Sequence, residues 1–441
     1  MKIVDVCRRK VAGWPYIAIT LLASLASFGC YTSMYAFRKA FAAGTFSGEQ
    51  YFGADYKVWL IIAQMLGYML SKFYGIRYIA ETGGGTRTMR ILLLVGIAWA
   101  ALLAFALVPA PYNIVFMFIN GFPLGMIWGL VFGYVEGRRS TEIIAAVMSI
   151  SLIFASGFVK TVARTIMDVL PVNEYWMPFC TGLLFVAPFL LFTACLAVLP
   201  APNALDQQQR NKREPMCARE RKQFMRHFLP GIIITLVIYV LLTIARDIRD
   251  NFEVEIWSDL GKRNNHIYTQ TDSIISLVVL LVIGLLILVK DNLKAFTFIH
   301  FMIIAGALLL GISTVLYSRQ QIGPVTWMSL AGLGLYLGYI PYNAVFFERM
   351  IATFKFKSNA GFVIYVADAA GYLGTVSALL LKEFYNGHVS WGLFFRNGAM
   401  VVAIVGGAGA LLSLVYFRHK VMRHEKRVVS YADKSTNFNL L

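Results

Sequence analysis

Twelve windows of predominantly apolar residues recur along the chain, at 13–42, 54–78, 89–109, 111–134, 143–167, 176–199, 228–253, 270–289, 294–317, 324–350, 358–382 and 391–417. A helix needs about 20 such residues to cross the hydrocarbon core of a bilayer. Runs such as Ile274 to Val289 are unbroken, whereas the strands of a membrane barrel would alternate in polarity over about ten residues. With 58% hydrophobic and 14% charged residues, a soluble fold would expose large apolar patches. The predicted class is an all-α polytopic membrane protein, with twelve transmembrane helices in two pseudo-symmetric halves of six. The expected division is a first half at 1–199, a linker at 200–228, a second half at 229–417 and a tail at 418–441. The linker is polar and charged (Ala204-Leu-Asp-Gln-Gln-Gln-Arg-Asn-Lys-Arg-Glu214), and six spans on each side of such a segment suit an internal repeat. The tail is basic, then polar, and is expected to be disordered beyond Lys434.

Lys and Arg placement sets orientation. If the N-terminus is inside, inner segments hold 27 of the 40 basic residues, outer segments six, and the spans seven. That bias predicts cytoplasmic termini and explains much of the +17 net charge without nucleic acid as a partner. The basic N-terminus followed by an apolar run reads as a first span, not a cleaved leader. The five cysteines show no metal-type spacing and read as reduced thiols. Trp14, Trp257, Trp327 and Trp391 are expected in interfacial belts. Gly83-Gly84-Gly85 reads as a turn; it lacks the Lys-Ser/Thr ending of a phosphate loop.

The chemistry lies in the seven span cations: Arg38, Lys39, Lys72, Lys160, Arg164, Arg246 and Arg249. Each costs roughly 2.5–3.5 kcal/mol at a helix centre on insertion scales. Tyr31, Tyr35 and Arg38 are spaced to share a helix face, as are Gly361, Tyr365, Asp368 and Tyr372; Tyr68 and Lys72 are four apart. Arg38 and Arg246 fall in corresponding first spans of the two halves. Two readings stand. In one, the cations pair with carboxylates and hold helices together; Asp247 and Asp250 lie near Arg246 and Arg249, and Asp368 is available for one more. In the other, a water-filled cavity receives an anion. The cations of the first half have no carboxylate in their own spans except Asp168 near Arg164, so a positive surplus is expected there. Arginine suits an oxyanion because its fork donates two parallel hydrogen bonds and stays charged.

Tyr31-x3-Tyr35-x2-Arg38-Lys39-x-Phe41, Tyr68-x2-Ser71-Lys72-Phe73, Asn120-Gly121-Phe122-x2-Gly125-Met126-x-Trp128, Arg246 with Asn251-Phe252, Tyr339-Ile-Pro341 and Gly371-Tyr372-Leu373-Gly374 follow one another along the chain. In that order they resemble the span motifs of the organophosphate:phosphate antiporter family of the major facilitator superfamily. The resemblance implies rocker-switch transport with Arg38 and Arg246 clamping a phosphate, and Tyr31, Lys39 and Lys72 lining the site. The chain departs from the pattern at Phe154, where that family has a histidine, and in carrying Lys160 and Arg164 one turn apart. It therefore reads as a divergent branch.

The expected function is secondary transport of a small organic anion, in particular a phosphorylated metabolite. Expected ligands are Arg38, Arg246, Lys72, Lys39, Tyr31, Tyr35, Tyr68, Tyr339 and Tyr365. Asp368, Arg249, Asp250, Lys160 and Arg164 are candidates for coupling or ion pairing. The alternatives are a transporter-like receptor for an organophosphate and a transporter of a carboxylate. No catalytic constellation, metal or cofactor is expected. The partners are the small anion and the lipid bilayer. The chain is read as a monomer in a cell membrane, the inner one in a bacterium.

Overall fold

The computed structural model describes residues 2–80, 86–203, 205–206, 218–354, 360–386 and 389–438. The chain begins with a short basic helix, α1 (Lys2–Ala12), whose Arg8 Nη2 donates to the Ala197 carbonyl at 2.8 Å. Gly13-Trp14-Pro15 ends it, and Pro15 immediately precedes α2 (Tyr16–Lys39), where its missing N–H costs nothing. A tight 3₁₀ turn (Ala40–Ala43) leads to an antiparallel ribbon, β1 (Gln50–Tyr51) against β2 (Ala54–Asp55). Then follow α3 (Tyr56–Ala80), α4 (Arg87–Leu107), α5 (Ile114–Leu124), α6 (Ile127–Phe132), α7 (Thr141–Val169) and α8 (Met177–Ala197).

The second set is α9 (Ala218–Asn251), α10 (Glu253–Asp259), α11 (His266–Ile287), α12 (Asn292–Ser318) and α13 (Pro324–Pro341). A π-turn (Tyr342–Phe346) links α13 to α14 (Phe347–Thr353). After α15 (Ala360–Asn386), α16 (Trp391–Val401) joins α17 (Gly407–Phe438) through a second π-turn (Val402–Gly406).

Among the described residues nine helices are long and apolar enough to cross a membrane. Helices also cover the other three apolar stretches: α3, α13 continuing to α14, and α15. Leucine and isoleucine side chains stand exposed along helix faces, as at Ile17, Leu21 and Leu25 on α2 and Leu277, Leu281 and Leu285 on α11. Such rows are compatible with lipid and unsuited to water. The stretch expected as one span at 111–134 is one of the nine, Ile114–Phe132, built from two helices, α5 and α6. Pro123 and Gly125 lie at the break, where proline removes a backbone donor.

α2 packs on α7 and α8, and α3 on α5; in the second set α9 packs on α15 and α12 on α13. The sets meet where α7 lies along α11 and α3 along α15. Small residues allow the closest approaches. A Cβ on Gly121 would sit 2.2 Å from the Gln64 carbonyl oxygen, and one on Gly157 would sit 2.4 Å from that of Tyr268. The first contact joins α5 to α3; the second joins the two sets.

α9 begins at Ala218, within the 200–228 segment expected as linker. Other expectations need correction. α17 runs on to Phe438, past Lys434 where disorder was expected, and no glycine or proline interrupts the sequence after Gly409. Trp257, Trp327 and Trp391 are buried and only Trp14 of the four is exposed. Trp327 stacks on Tyr317 with 4.4 Å between centroids, and Trp391 stacks on Phe252 at 3.4 Å, so tertiary ring partners replace the lipid interface. Cys7, Cys30, Cys180 and Cys195 are free thiols. Gly83–Gly85 and Cys217 lie outside the described residues.

Candidate functional site

From Cys30 to Lys39 every residue of α2 is buried. The last carbonyls of a helix lack intrahelical donors, and here two buried amides supply them. Asn120 Nδ2 donates to the Phe37 carbonyl at 2.9 Å, and Gln64 Nε2 donates to the Arg38 carbonyl at 2.7 Å. Gln64 Nε2 also donates to Asn120 Oδ1 at 2.8 Å. α3 and α5 thereby fix the backbone of Arg38.

The Arg38 side chain extends among aromatic rings. Its guanidinium carbon lies 3.9 Å over the Tyr68 ring and 5.8 Å from that of Tyr35, and Tyr31 and Tyr372 also neighbour it. Tyr31 packs edge-on against Trp128 at 5.1 Å and lies 5.6 Å from Tyr35. Arg38 is only 9% exposed, and its Nε is buried without a hydrogen-bond partner. Among the described residues its guanidinium makes no ion pair. Tyrosine faces stabilise a cation through the ring quadrupole, but they leave its charge unneutralised.

Arg246, in the opposite set, is different. Its Nη2 and Nε both donate to Asp247 Oδ1, at 2.6 and 3.2 Å, and its guanidinium carbon lies 4.2 Å over the Tyr339 ring. Asp247 Oδ2 accepts from Thr375 Oγ1 at 2.9 Å. Lys72 bonds Asp368 Oδ2 directly, and the other oxygen of Asp368 accepts from the Tyr239 hydroxyl. The Lys72 ammonium is 5.4 Å from both the Tyr68 and the Tyr372 rings. Tyr35 and Tyr372 are electrostatic neighbours of both arginines, so the two cations face one tyrosine-lined region. The side chain of Tyr365 lies outside the described residues.

The positive surplus expected in the first half shrinks here, because the partners of Lys39, Lys72 and Lys160 come from the second half. Lys39 Nζ pairs with Asp250 at 2.5 Å and donates to Asn251 Oδ1 at 2.7 Å. Lys160, fully buried, reaches Glu253 Oε2 at 2.7 Å and Asp250 Oδ1 at 3.3 Å. Lys57 pairs with Glu255 at 2.5 Å. Arg249 joins the group through Asp272 at 2.8 Å and Glu253 at 3.9 Å. Lys39 thus turns away from Arg38 into this network. Arg164 lies near Tyr268 and Glu255 at its edge.

Lys57, Gln64 and Glu255 were missed from sequence. Lys57 lies at the first turn of the 54–78 window and Glu255 just beyond the 228–253 window, where charges read as loop residues; Gln64 carries no charge to attract notice. Phe154 stacks between Phe28 and Phe158, at 5.6 and 5.3 Å, and contributes no polar group to the region.

Solved structures share this architecture. A mutant of the nucleoside transporter NupG matches with a TM-score of 0.57 at 13% identity, covering 90% of this chain and 100% of that one. The major facilitator superfamily proton:xylose symporter XylE matches at 0.55 and 16% identity, covering 90% and 94%. A bacterial homologue of the human lysosomal transporter Spinster matches at 0.58 and 12% identity, covering 92% and 98%. The chain therefore has the major facilitator fold. No curated protein matches its sequence. One family profile does, over residues 40–420, and the chain belongs to that family, whose description is "Family of unknown function (DUF5690)".

Proposed function

We propose that the chain is a secondary transporter that moves a small organic anion by alternating access between its two helix sets. α3, the α13–α14 unit and α15 complete twelve spans, and both termini face the cytoplasm. One observation carries the anion assignment: Arg38 is buried among tyrosines and, among the described residues, no carboxylate pairs with its guanidinium. A buried, unpaired cation costs several kcal/mol, and an incoming oxyanion removes that cost while using the arginine fork. Arg246 contributes differently. Asp247 occupies Nε and Nη2, leaving Nη1 as a donor toward the ligand. The clamp is thus asymmetric, with charge from Arg38 and geometry from Arg246. Tyr31, Tyr35, Tyr68 and Tyr339 add hydroxyls and ring faces. The motif resemblance favours a phosphorylated metabolite as the anion.

The test is a thermal-shift panel of phosphorylated and carboxylated metabolites on purified protein, with Arg38→Lys and Arg246→Lys beside the wild type. Anions are expected to stabilise the wild type and lose effect with Arg38→Lys. Stabilisation by cations or neutral sugars alone would overturn the anion assignment. Binding without flux in proteoliposomes would favour a receptor over a transporter.

A further inference from the structure

The charge balance around Arg38 limits what the site can accept. Three cations face the tyrosine-lined region: Arg38, Lys72 and Arg246. Two carboxylates face it as well, Asp247 on Arg246 and Asp368 on Lys72. Both are tied down at their second oxygen, by Thr375 and Tyr239. The remaining neighbours are tyrosines, whose ordinary pKa of about 10 leaves them uncharged, and the Lys39–Asp250 pair beside Arg38 and Tyr35, which adds no net charge. Among the described residues the region therefore carries one uncompensated positive charge, located on Arg38.

We propose that the site selects organic anions of single charge, a monocarboxylate held by the Arg38 fork with its body against the tyrosine rings. This rests on the anion reading above and replaces the phosphorylated metabolite favoured by the motif resemblance with a monocarboxylate. A monocarboxylate brings the region to neutrality. Its two oxygens match two parallel N–H donors of one guanidinium. A phosphate monoester carries about −1.5 to −2 at neutral pH, and a dicarboxylate carries two full charges. Either would leave the region with a net negative charge, and moving Asp247 or Asp368 off its partner would not remove it, because the carboxylate would stay beside the ligand.

The experiment uses two matched sets of probes that differ mainly in charge: acetate, malonate, methyl phosphate and acetamide; and benzoate, phthalate, phenyl phosphate and benzamide. Binding to the full-length protein in detergent is measured calorimetrically at neutral pH. In at least one set the monocarboxylate is expected to bind about tenfold or more tighter than both dianions, the penalty for one uncompensated charge at a partly hydrated site. Asp247→Asn preserves shape and adds one positive charge to the region. It is expected to reverse the order, raising dianion affinity relative to the monocarboxylate by about tenfold. Asp368→Asn adds the same charge through Lys72 and serves if Asp247→Asn does not fold.

Tighter dianion binding by the wild type overturns the single-charge proposal while leaving the anion reading intact. So does an unchanged mono-to-dianion ratio in a folded Asp→Asn variant. Failure of every anion in both sets, or binding by the amides alone, overturns the anion reading itself.

Discussion

Replacing Lys160 with methionine tests whether the buried charge network holds the two helix sets together. The ammonium is completely buried, 2.7 Å from Glu253 and 3.3 Å from Asp250, and bonds Ser156 Oγ at 2.8 Å. At an effective dielectric of about 20 the two ion contacts are worth roughly 6 and 5 kcal/mol of gross attraction. Desolvation of the three charges offsets most of this. Removing one partner of a buried pair typically costs about 3–5 kcal/mol, because the other charge stays behind. Here Asp250 keeps Lys39 at 2.5 Å and Glu253 keeps Arg249 at 3.9 Å. The expected cost is therefore near the lower bound, about 3 kcal/mol, or a factor of roughly 100 in the equilibrium between apposed and parted sets. The assay is labelling of Tyr35→Cys by a membrane-impermeant thiol reagent from each side, with native cysteines removed and Tm measured in parallel. Lys160→Met should speed labelling from the side bearing Lys57 and Glu255, and lower Tm. Adding Glu253→Gln should recover part of both changes, since a carboxamide no longer demands a cation. Unchanged labelling and Tm in Lys160→Met would refute the view that these ion pairs hold this face closed.

Other substitutions probe separate parts of the argument. Gln64→Leu leaves the Arg38 carbonyl and Asn120 Oδ1 without their donor, so Tm should fall by the equivalent of about 1–3 kcal/mol; anion affinity should fall too if α2 is what aims Arg38. Gly157→Ala places a methyl 2.4 Å from the Tyr268 carbonyl oxygen and 2.8 Å from Asp272 Oδ2. It should separate α7 from α11 at a cost of about 1–3 kcal/mol, read as a lower Tm and weaker cysteine cross-linking between those helices. Asp55, in the ribbon, has its carboxyl pushed up by burial and by Glu383, against the opposing pull of Lys382. The folded state thus holds that proton at higher pH than the unfolded chain does, and ionisation penalises folding above the folded pKa. Asp55→Asn should raise Tm at neutral pH, and the gain should shrink as pH falls through that pKa and disappear near the unfolded value. A gain independent of pH would contradict the assignment.

The helical membrane class was legible because it depends on run length, a property of contiguous residues. The stripe carrying Tyr31, Tyr35 and Arg38 was legible for a related reason: helical period places those three on one side, and the structure buries all of them. Charge neutralisation was not. Carboxylates counted span by span could find Asp247 beside Arg246, but not Asp368 for Lys72 or Glu253 for Lys160, which lie 296 and 93 residues away along the chain. Burial makes such distant pairing necessary in a bundle of this kind, since an ion that cannot reach water must find a partner on whichever helix faces it. The relevant question for each intramembrane cation is therefore which one the tertiary fold leaves unanswered. Lys39 and Arg38 are adjacent in sequence and equally unpaired when α2 is read alone. Their side chains diverge: Lys39 reaches Asp250 and Asn251, while Arg38 turns among Tyr35 and Tyr68. One residue of the pair thus fastens the two helix sets together. The other has no ion pair among the described residues and is the fork proposed for the ligand, so a change of helix packing that breaks the first should also shift the second.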